Sequence, residues 1–157
     1  MKKLILLTLL FICLSISAKI DPYIQPFVDQ FVAEGMERGV ILNTSKVLDI
    51  GFPNSTNQYI IDSLSLRDHK HKQWQGITWH YNDGMVSVYF NPELFFGYTE
   101  LYRRLLIYHE LAHALVLGNK HPANCRLMNH NVLNNIFIQN DIKTLLDEIY
   151  NYNITVR

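Results

Sequence analysis

The sequence predicts a single α+β domain with several strands, one long helix and a C-terminal helix. Three observations lead to this fold class. The chain has 157 residues, 48% hydrophobic and 18% charged, which is typical of one globular domain. The strongest strand signal is a hairpin, and the longest helical signal follows it at residues 100–117. Strands followed by helices, without regular β–α alternation, are typical of the α+β class.

Residues 1–18 have the pattern of a secretory signal peptide. A basic start precedes a largely apolar run at residues 4–14, and Ser17 and Ala18 offer small residues for cleavage. Such a run is too short to cross the roughly 30 Å hydrocarbon core of a bilayer comfortably. We therefore expect an exported protein, secreted or periplasmic, whose mature domain spans residues 19–157 and has no membrane partner.

Charge and cysteine content exclude several classes of protein. The chain carries 14 basic and 14 acidic side chains, so it lacks the basic surface typical of nucleic-acid-binding domains. Loss of Lys2 and Lys3 with the signal segment would leave 12 basic side chains against 14 acidic ones, and Cys125 as the only cysteine. One cysteine forms no intrachain disulfide, so we expect a domain held by its core, with a metal ion as an addition to that core. We also expect this domain to be a monomer.

Turn residues and the spacing of apolar side chains place the first elements of the mature domain. Apolar residues at helical spacing predict a helix from Asp21-Pro22 to about Arg38, and Gly39 would end it. Two short runs rich in apolar residues then predict strands at residues 46–52 and 58–66.

The best hairpin signal consists of two aromatic and β-branched runs, residues 77–81 and 85–90. Asn82-Asp83-Gly84 joins them, and such a turn is typical of a hairpin. His80 alternates with aromatic neighbours in the first run. Because side chains alternate along a strand, we expect His80 on the opposite face of the sheet from those aromatic residues.

A long helix is predicted from Glu100 to about Leu117. Thr99 can cap its first turn, and Gly118 can end it. Apolar residues occupy most of its surface, which is typical of a buried helix. After a looser segment, a last helix is predicted over residues 140–150.

The long helix contains His109-Glu110-Leu111-Ala112-His113, which matches the zinc hydrolase motif His-Glu-x-x-His. Residues four apart share one helix face, so His109 and His113 can both reach a zinc ion. Glu110 lies at the edge of that face, where it can take a proton from a zinc-activated water without ligating the metal. Two buried histidines without a partner would be costly, and a metal removes that cost. The motif therefore predicts a zinc site with Glu110 as general base.

The segment from His109 to His121 resembles the extended motif of the metzincin group of zinc peptidases, His-Glu-x-x-His-x-x-Gly-x-x-His. Its last part, His-Ala-Leu-Val-Leu-Gly-Asn-Lys-His, is similar to the His-Ala-Leu-Gly-Leu-Gly-His form of matrixin-like members. Val116 stands where the family has glycine, and the third histidine comes eight residues after the second instead of six. Gly118 can make the turn instead. Leu127-Met128-Asn129 also resembles the family's Met-turn.

The resemblance, which covers about residues 98–130, implies a small zincin-like domain. In that fold a mixed sheet with an edge hairpin packs on the active-site helix. His121 would be the third zinc ligand, and the activity would be hydrolysis of a peptide or protein substrate lying extended beside the edge hairpin. Apart from this resemblance, we expect a tyrosine such as Tyr150 or Tyr152 to help zinc to stabilise the oxyanion.

Other ligands and functions stay open from the sequence. The third ligand could instead be His130, Cys125 or a carboxylate of the last helix, the candidates there being Glu148, Asp147 and Asp141. Two other functional classes would keep the same metal: a zinc amidase acting on cell-wall amides, and a non-catalytic zinc-binding protein of zincin fold.

Overall fold

The computed structural model describes residues 18–54, 57–60, 62, 74–128 and 142–155. This part of the chain is a mixed α and β structure, which confirms the predicted α+β class. Its strands are β1 (Lys19–Ile20), β2 (Val47–Gly51), β3 (Gly76–His80) and β4 (Val86–Phe90). Its α-helices are α1 (Gln25–Glu37), α2 (Pro92–Phe95), α3 (Glu100–Ala112) and α4 (Ile142–Thr155).

The strands form one mixed sheet in the order β1-β2-β4-β3. The pairs β1/β2 and β2/β4 are parallel, whereas β3 and β4 form the predicted antiparallel hairpin. Gly84 turns this hairpin with a φ of 82°, a conformation that glycine adopts without steric cost. All five residues of β4 are buried. Since β4 is a central strand, β3 forms one edge of the sheet within the described residues.

The two faces of β3 have different surroundings. Ile77, Trp79 and Tyr81 pack with Tyr89 and Ile60 in a small apolar cluster on one face. Side chains alternate along a strand, so Thr78 and His80 occupy the other face, toward α3. This confirms the predicted orientation of His80 relative to its aromatic neighbours.

The main core lies between the sheet and helices α1, α3 and α4. Phe31 of α1 sits at its centre, with its ring centroid 5.4 Å from those of both Tyr108 and Tyr150. Burial of a large apolar side chain stabilises a fold by about 1.5–3 kcal/mol. This aromatic contact therefore fixes α3, which carries the histidine motif, against two other helices.

One predicted strand is wrong. Residues 58–60 and 62 are helical, not extended, and the rest of the predicted strand 58–66 lies outside the described residues. Asn57 explains the difference, because its Oδ1 accepts a 2.6 Å hydrogen bond from the Asn54 N–H and its carbonyl accepts from the Ile60 N–H at 3.1 Å. This local turn buries Ile60 completely.

Helix ends differ from the prediction by a few residues. α1 begins at Gln25 instead of Asp21, because Asp21 forms a turn in which its Oδ1 accepts a hydrogen bond from the Tyr23 N–H at 2.8 Å. α4 continues past Tyr150 to Thr155. Residues 1–17 of the predicted signal peptide lie outside the described residues. Within the described residues, no helix is long and apolar enough to cross a membrane.

Candidate metal centre

Helix α3 places His109 and His113 on one buried face. Thr99 caps the helix as predicted, since its Oγ1 accepts a hydrogen bond from the Tyr102 N–H at 3.3 Å. His109 is 5% exposed, and His113, directly after the last α-helical residue, is 8% exposed. The surrounding protein alone thus removes both imidazoles largely from water.

A π-helical turn, His113–Leu117, follows α3 and lengthens the path to the third histidine. Gly118 then ends the helical run with φ 60° and ψ −143°, a backbone conformation that is essentially restricted to glycine. The turn is therefore made at Gly118, as expected, and Val116 lies inside the π turn where no chain reversal is needed. π turns inside helices frequently occur at functional sites.

His109, His113 and His121 lie together although eight residues separate the last two. Their candidate ligand atoms are all within 4.8 Å of one another. The ring of His113 has its centroid 4.9 Å from that of His109 and 4.6 Å from that of His121. His121 is exposed, whereas the other two are buried. The three side chains are close enough to bind one metal ion at a site that is open on one side.

Backbone carbonyls orient the two helical imidazoles. His109 Nδ1 donates to the Leu127 carbonyl at 2.8 Å, and His113 Nδ1 donates to the Gly118 carbonyl at 2.6 Å. A proton on each Nδ1 leaves the Nε2 lone pair for a metal, and such carbonyl partners are typical around metal-ligating histidines. The Leu127 contact also places Met128, which is 1% exposed, directly after a residue that supports the site.

Glu110 lies beside this cluster and is held by β3. The Thr78 hydroxyl contacts Glu110 Oε2 at 2.8 Å and the Glu110 carbonyl at 3.0 Å. A Cβ at Gly76 would lie 2.9 Å from Glu110 Cγ and Oε1, so only glycine leaves this space for the carboxylate. Burial raises the pKa of the Glu110 carboxyl to about 7, although the hydrogen bond from Thr78 lowers it.

Sequence reasoning missed Thr78 and Gly76. The alternation around His80 was enough to put Thr78 on the same strand face, two residues away. Nothing in the sequence, however, indicated which residue of β3 lies opposite Glu110. That register depends on how the sheet packs on α3.

The acidic residues of α4 lie in other contacts. Glu148 Oε1 accepts a hydrogen bond from Arg126 Nε at 2.7 Å, and its Oε2 accepts from the Arg126 N–H at 2.8 Å. Asp147 accepts from Arg38 Nε at 2.6 Å. Neither carboxylate belongs to the histidine cluster found among the described residues.

Cys125 is also outside the cluster. Its Sγ donates to the Glu148 carbonyl at 3.4 Å, and the residue is fully buried. Burial raises the pKa of the Cys125 thiol to about 11, with a further contribution from the Glu148 carboxylate. His130, Asp141 and Asn129 of the Met-turn motif lie outside the described residues.

The expectation that Tyr150 assists at the oxyanion is wrong. Tyr150 is fully buried, and its hydroxyl donates to the Phe31 carbonyl at 2.6 Å in the main core. Tyr150 lies on the buried side of α4, so its ring packs against Phe31 in the core and not beside the histidines. Tyr152 is half-buried and packs against the same core.

A cleft of about 240 Å³ joins the site to β3. Its walls are the strand residues Gly76, Ile77 and Thr78, the motif residues His109, Glu110 and His113, and the loop residues Asn119 and His121. The cleft therefore brings the edge strand and the buried carboxylate to the same opening as the histidines.

The donor set fits zinc. Catalytic zinc sites commonly have three protein ligands, neutral imidazoles are among the preferred ones, and a fourth position stays open. The three histidines, two with their tautomer set by carbonyls, and the exposed side at His121 meet these requirements.

Comparison with models of protein families, with curated proteins and with solved structures gave no match. The interpretation therefore depends on the geometry of this chain alone.

Proposed function

We propose that the chain is an exported, zinc-dependent metallopeptidase of zincin-like fold. The observation that carries this proposal is the cluster of His109, His113 and His121 next to a buried, hydrogen-bonded Glu110. A metal ligand set alone is compatible with a structural site. A carboxylate held beside the ligands but outside their group, in a cleft that reaches the surface, is typical of a hydrolase.

His109, His113 and His121 would hold the zinc ion. When bound, zinc supplies Lewis acidity, which polarises a carbonyl group and makes a water molecule more acidic. The Leu127 and Gly118 carbonyls keep both helical imidazoles in the orientation that this requires. Loss of a hydrogen bond that orients a metal-ligating histidine typically lowers metal affinity or activity by about 10–100-fold.

Glu110 would act as the general base and then as the general acid. Its carboxylate accepts a proton from the attacking water and returns it to the departing amine. Thr78 holds Oε2 at 2.8 Å, while the glycine at position 76 leaves room beside Oε1. The base is thus oriented by β3 and supported by packing against it.

The open edge of β3 would bind the substrate backbone. Within the described residues, β3 pairs only with β4, so its other side presents main-chain donors and acceptors along the cleft. An extended peptide can add to such an edge as a further strand. A peptide in that position runs past Thr78 and Glu110, which places its backbone near the histidines.

Metal analysis tests the ligand set. The purified protein should contain about one equivalent of zinc, and His109→Ala, His113→Ala and His121→Ala should each lose most of it. Glu148→Gln is the matched control, because this carboxylate binds Arg126 and should not affect zinc. Full retention of zinc in the His121→Ala variant, with loss in Glu148→Gln, would contradict the proposed ligands.

Glu110→Gln separates an enzyme from a binding protein. The substitution keeps size and hydrogen bonding but removes the base, so we expect full zinc content and a loss of peptide cleavage of about 10²–10⁴-fold. Equal cleavage by both proteins would show that Glu110 is not the base. If the wild type cleaves no member of a broad peptide library, the peptidase proposal fails, and parallel assays on cell-wall amides distinguish an amidase from a non-catalytic zinc protein.

A further inference from the structure

The outer face of β3, which points away from α3, carries an apolar cluster that is well covered on one side only. Tyr89 of the neighbouring strand β4 is 3% exposed, and Ile60, which packs with it, is fully buried. The cluster residues on β3 itself, Ile77 and Trp79, are only half-buried. Burial within the cluster therefore decreases from β4 toward the edge of the sheet.

The register of the hairpin explains this decrease. Ile77 lies opposite Tyr89, and Trp79 lies opposite Ser87. Directly opposite residues of two strands have Cβ atoms about 4.5–5.5 Å apart, so each of these β3 side chains has a close neighbour on β4. Within the described residues β3 pairs with no other strand, so the second side of Ile77 and Trp79 faces the open edge.

This edge lacks the usual protection against pairing with another chain. Proteins commonly protect edge strands with charged side chains, proline or a β-bulge. β3 has the sequence Gly-Ile-Thr-Trp-His, without Lys, Arg, Asp, Glu or Pro, and it pairs with β4 in a regular register without a bulge. The strand is therefore suited to accept a further strand along its open edge.

The outer cluster is continuous with the metal cleft. Ile77 belongs both to the cluster and to the wall of the cleft, and Thr78, between Ile77 and Trp79, contacts Glu110. Side chains alternate along an extended peptide, so a peptide paired with β3 directs every second side chain to the outer face. Two such side chains, separated by one residue, would lie beside Ile77 and Trp79 at cross-strand distance.

We propose that β3 selects extended, apolar segments of polypeptide, in which two apolar side chains separated by one residue pack beside Ile77 and Trp79 on the outer face. The residue between them then points toward the metal cleft. A charged side chain at either outer position would lose water against an apolar surface, which is unfavourable. This inference rests on the proposed peptidase function and adds a substrate class to it.

Peptide binding without cleavage tests the preference. Zinc-loaded Glu110→Gln protein is titrated into fluorescein-labelled Ser-Val-Ser-Val-Ser-amide or Ser-Thr-Ser-Thr-Ser-amide, and fluorescence anisotropy gives each Kd. Valine and threonine have similar shapes but differ by a hydroxyl. The valine peptide should bind about tenfold more tightly, which corresponds to about threefold for each of two cross-strand contacts.

Trp79→Thr, made in the Glu110→Gln protein, removes one of the two contacts. The preference for the valine peptide should then decrease to about threefold, because only the contact with Ile77 remains. Phe96→Thr is the matched control, since Phe96 is an exposed aromatic residue outside both the cluster and the cleft. This variant should keep the tenfold preference.

Tryptophan emission reports the contact in a protein that keeps Trp79. The chain has two tryptophans, so Trp74→Phe leaves Trp79 as the only one. Saturation with unlabelled acetyl-Ser-Val-Ser-Val-Ser-amide should shift the emission of Trp79 to shorter wavelength, because the indole becomes less exposed to water. This measurement does not depend on how well the Trp79→Thr variant folds.

The outcomes separate this inference from the peptidase proposal. Equal affinity for both peptides, no binding of either, a tenfold preference that survives Trp79→Thr, or an unchanged Trp79 emission overturns the proposed contact. A shift of Trp79 emission upon dilution of the free protein assigns the edge to a second copy of the chain and also overturns it. Cleavage of a peptide library without enrichment of apolar residues at alternate positions leaves the peptidase and removes the contact. Trp79-dependent binding without cleavage of any peptide by the wild type leaves the contact and removes the peptidase.

Discussion

Replacement of Gly118 by alanine should weaken both the fold and the metal site. Gly118 adopts φ 60° and ψ −143°, and its carbonyl accepts the 2.6 Å hydrogen bond from His113 Nδ1. It also starts the segment that returns His121 to the cluster. One residue thus determines the path of the third histidine and the orientation of the second.

The magnitude follows from the backbone. A Cβ at position 118 would meet nothing within 4 Å, so the cost of Gly118→Ala is conformational and not steric crowding. A non-glycine residue held in such a region costs about 1–3 kcal/mol. If the loop shifts to relieve this strain, the carbonyl and His121 move with it. Loss of such a supporting contact typically weakens metal affinity by about 10–100-fold.

Gly39→Ala provides a matched control. Gly39 also has a positive φ of 73° and open space around its Cβ position, but it lies directly after α1 and outside the histidine cluster. Urea unfolding of the metal-free proteins should show a loss of about 1–3 kcal/mol in both variants. Zinc competition with a chromophoric chelator should show weaker binding only for Gly118→Ala. Wild-type zinc affinity in a Gly118→Ala protein that is destabilised as much as Gly39→Ala would show that Gly118 does not support the metal site.

Three further predictions concern single groups. Thr78→Val removes the hydroxyl that contacts Glu110 at 2.8 Å and should lower kcat for peptide cleavage about tenfold or more. Thr78→Ser keeps a hydroxyl and should restore kcat. An equal kcat in the Thr78→Val and Thr78→Ser variants would contradict the positioning role of Thr78. Tyr150→Phe removes the hydroxyl that donates to the Phe31 carbonyl. It should reduce the free energy of unfolding by about 0.5–1.5 kcal/mol with unchanged zinc content, and a loss of zinc would instead link Tyr150 to the site. Burial raises the pKa of the Cys125 thiol to about 11, which disfavours the reactive thiolate at pH 8. Alkylation of Cys125 should therefore be about a hundredfold slower in the native than in the urea-unfolded protein. The alkylation rate of the native protein should increase as the pH rises toward that pKa. Similar native and unfolded alkylation rates would show that the thiol is accessible.

Features that depend on short stretches of chain could be predicted from the sequence alone. The spacing of His109 and His113 puts them on one face of any α-helix, whatever the rest of the fold. The hairpin at residues 77–90 and the turn at Gly118 follow from local backbone preferences. The metzincin-like motif also predicted that His121 would approach the other two histidines, and they do lie together.

Contacts between distant segments of the chain could not be predicted in this way, because they depend on tertiary packing. Thr78 and Gly76 precede Glu110 by more than thirty residues and lie against it. The Leu127 carbonyl, from a residue that follows the helix, accepts a hydrogen bond from His109. Arg126 binds Glu148. Residues 58–60 are helical where their composition predicted a strand. These features share one cause. The register of a sheet against a helix, and the partner of a carboxylate, depend on packing across the core, and no local sequence pattern encodes that packing.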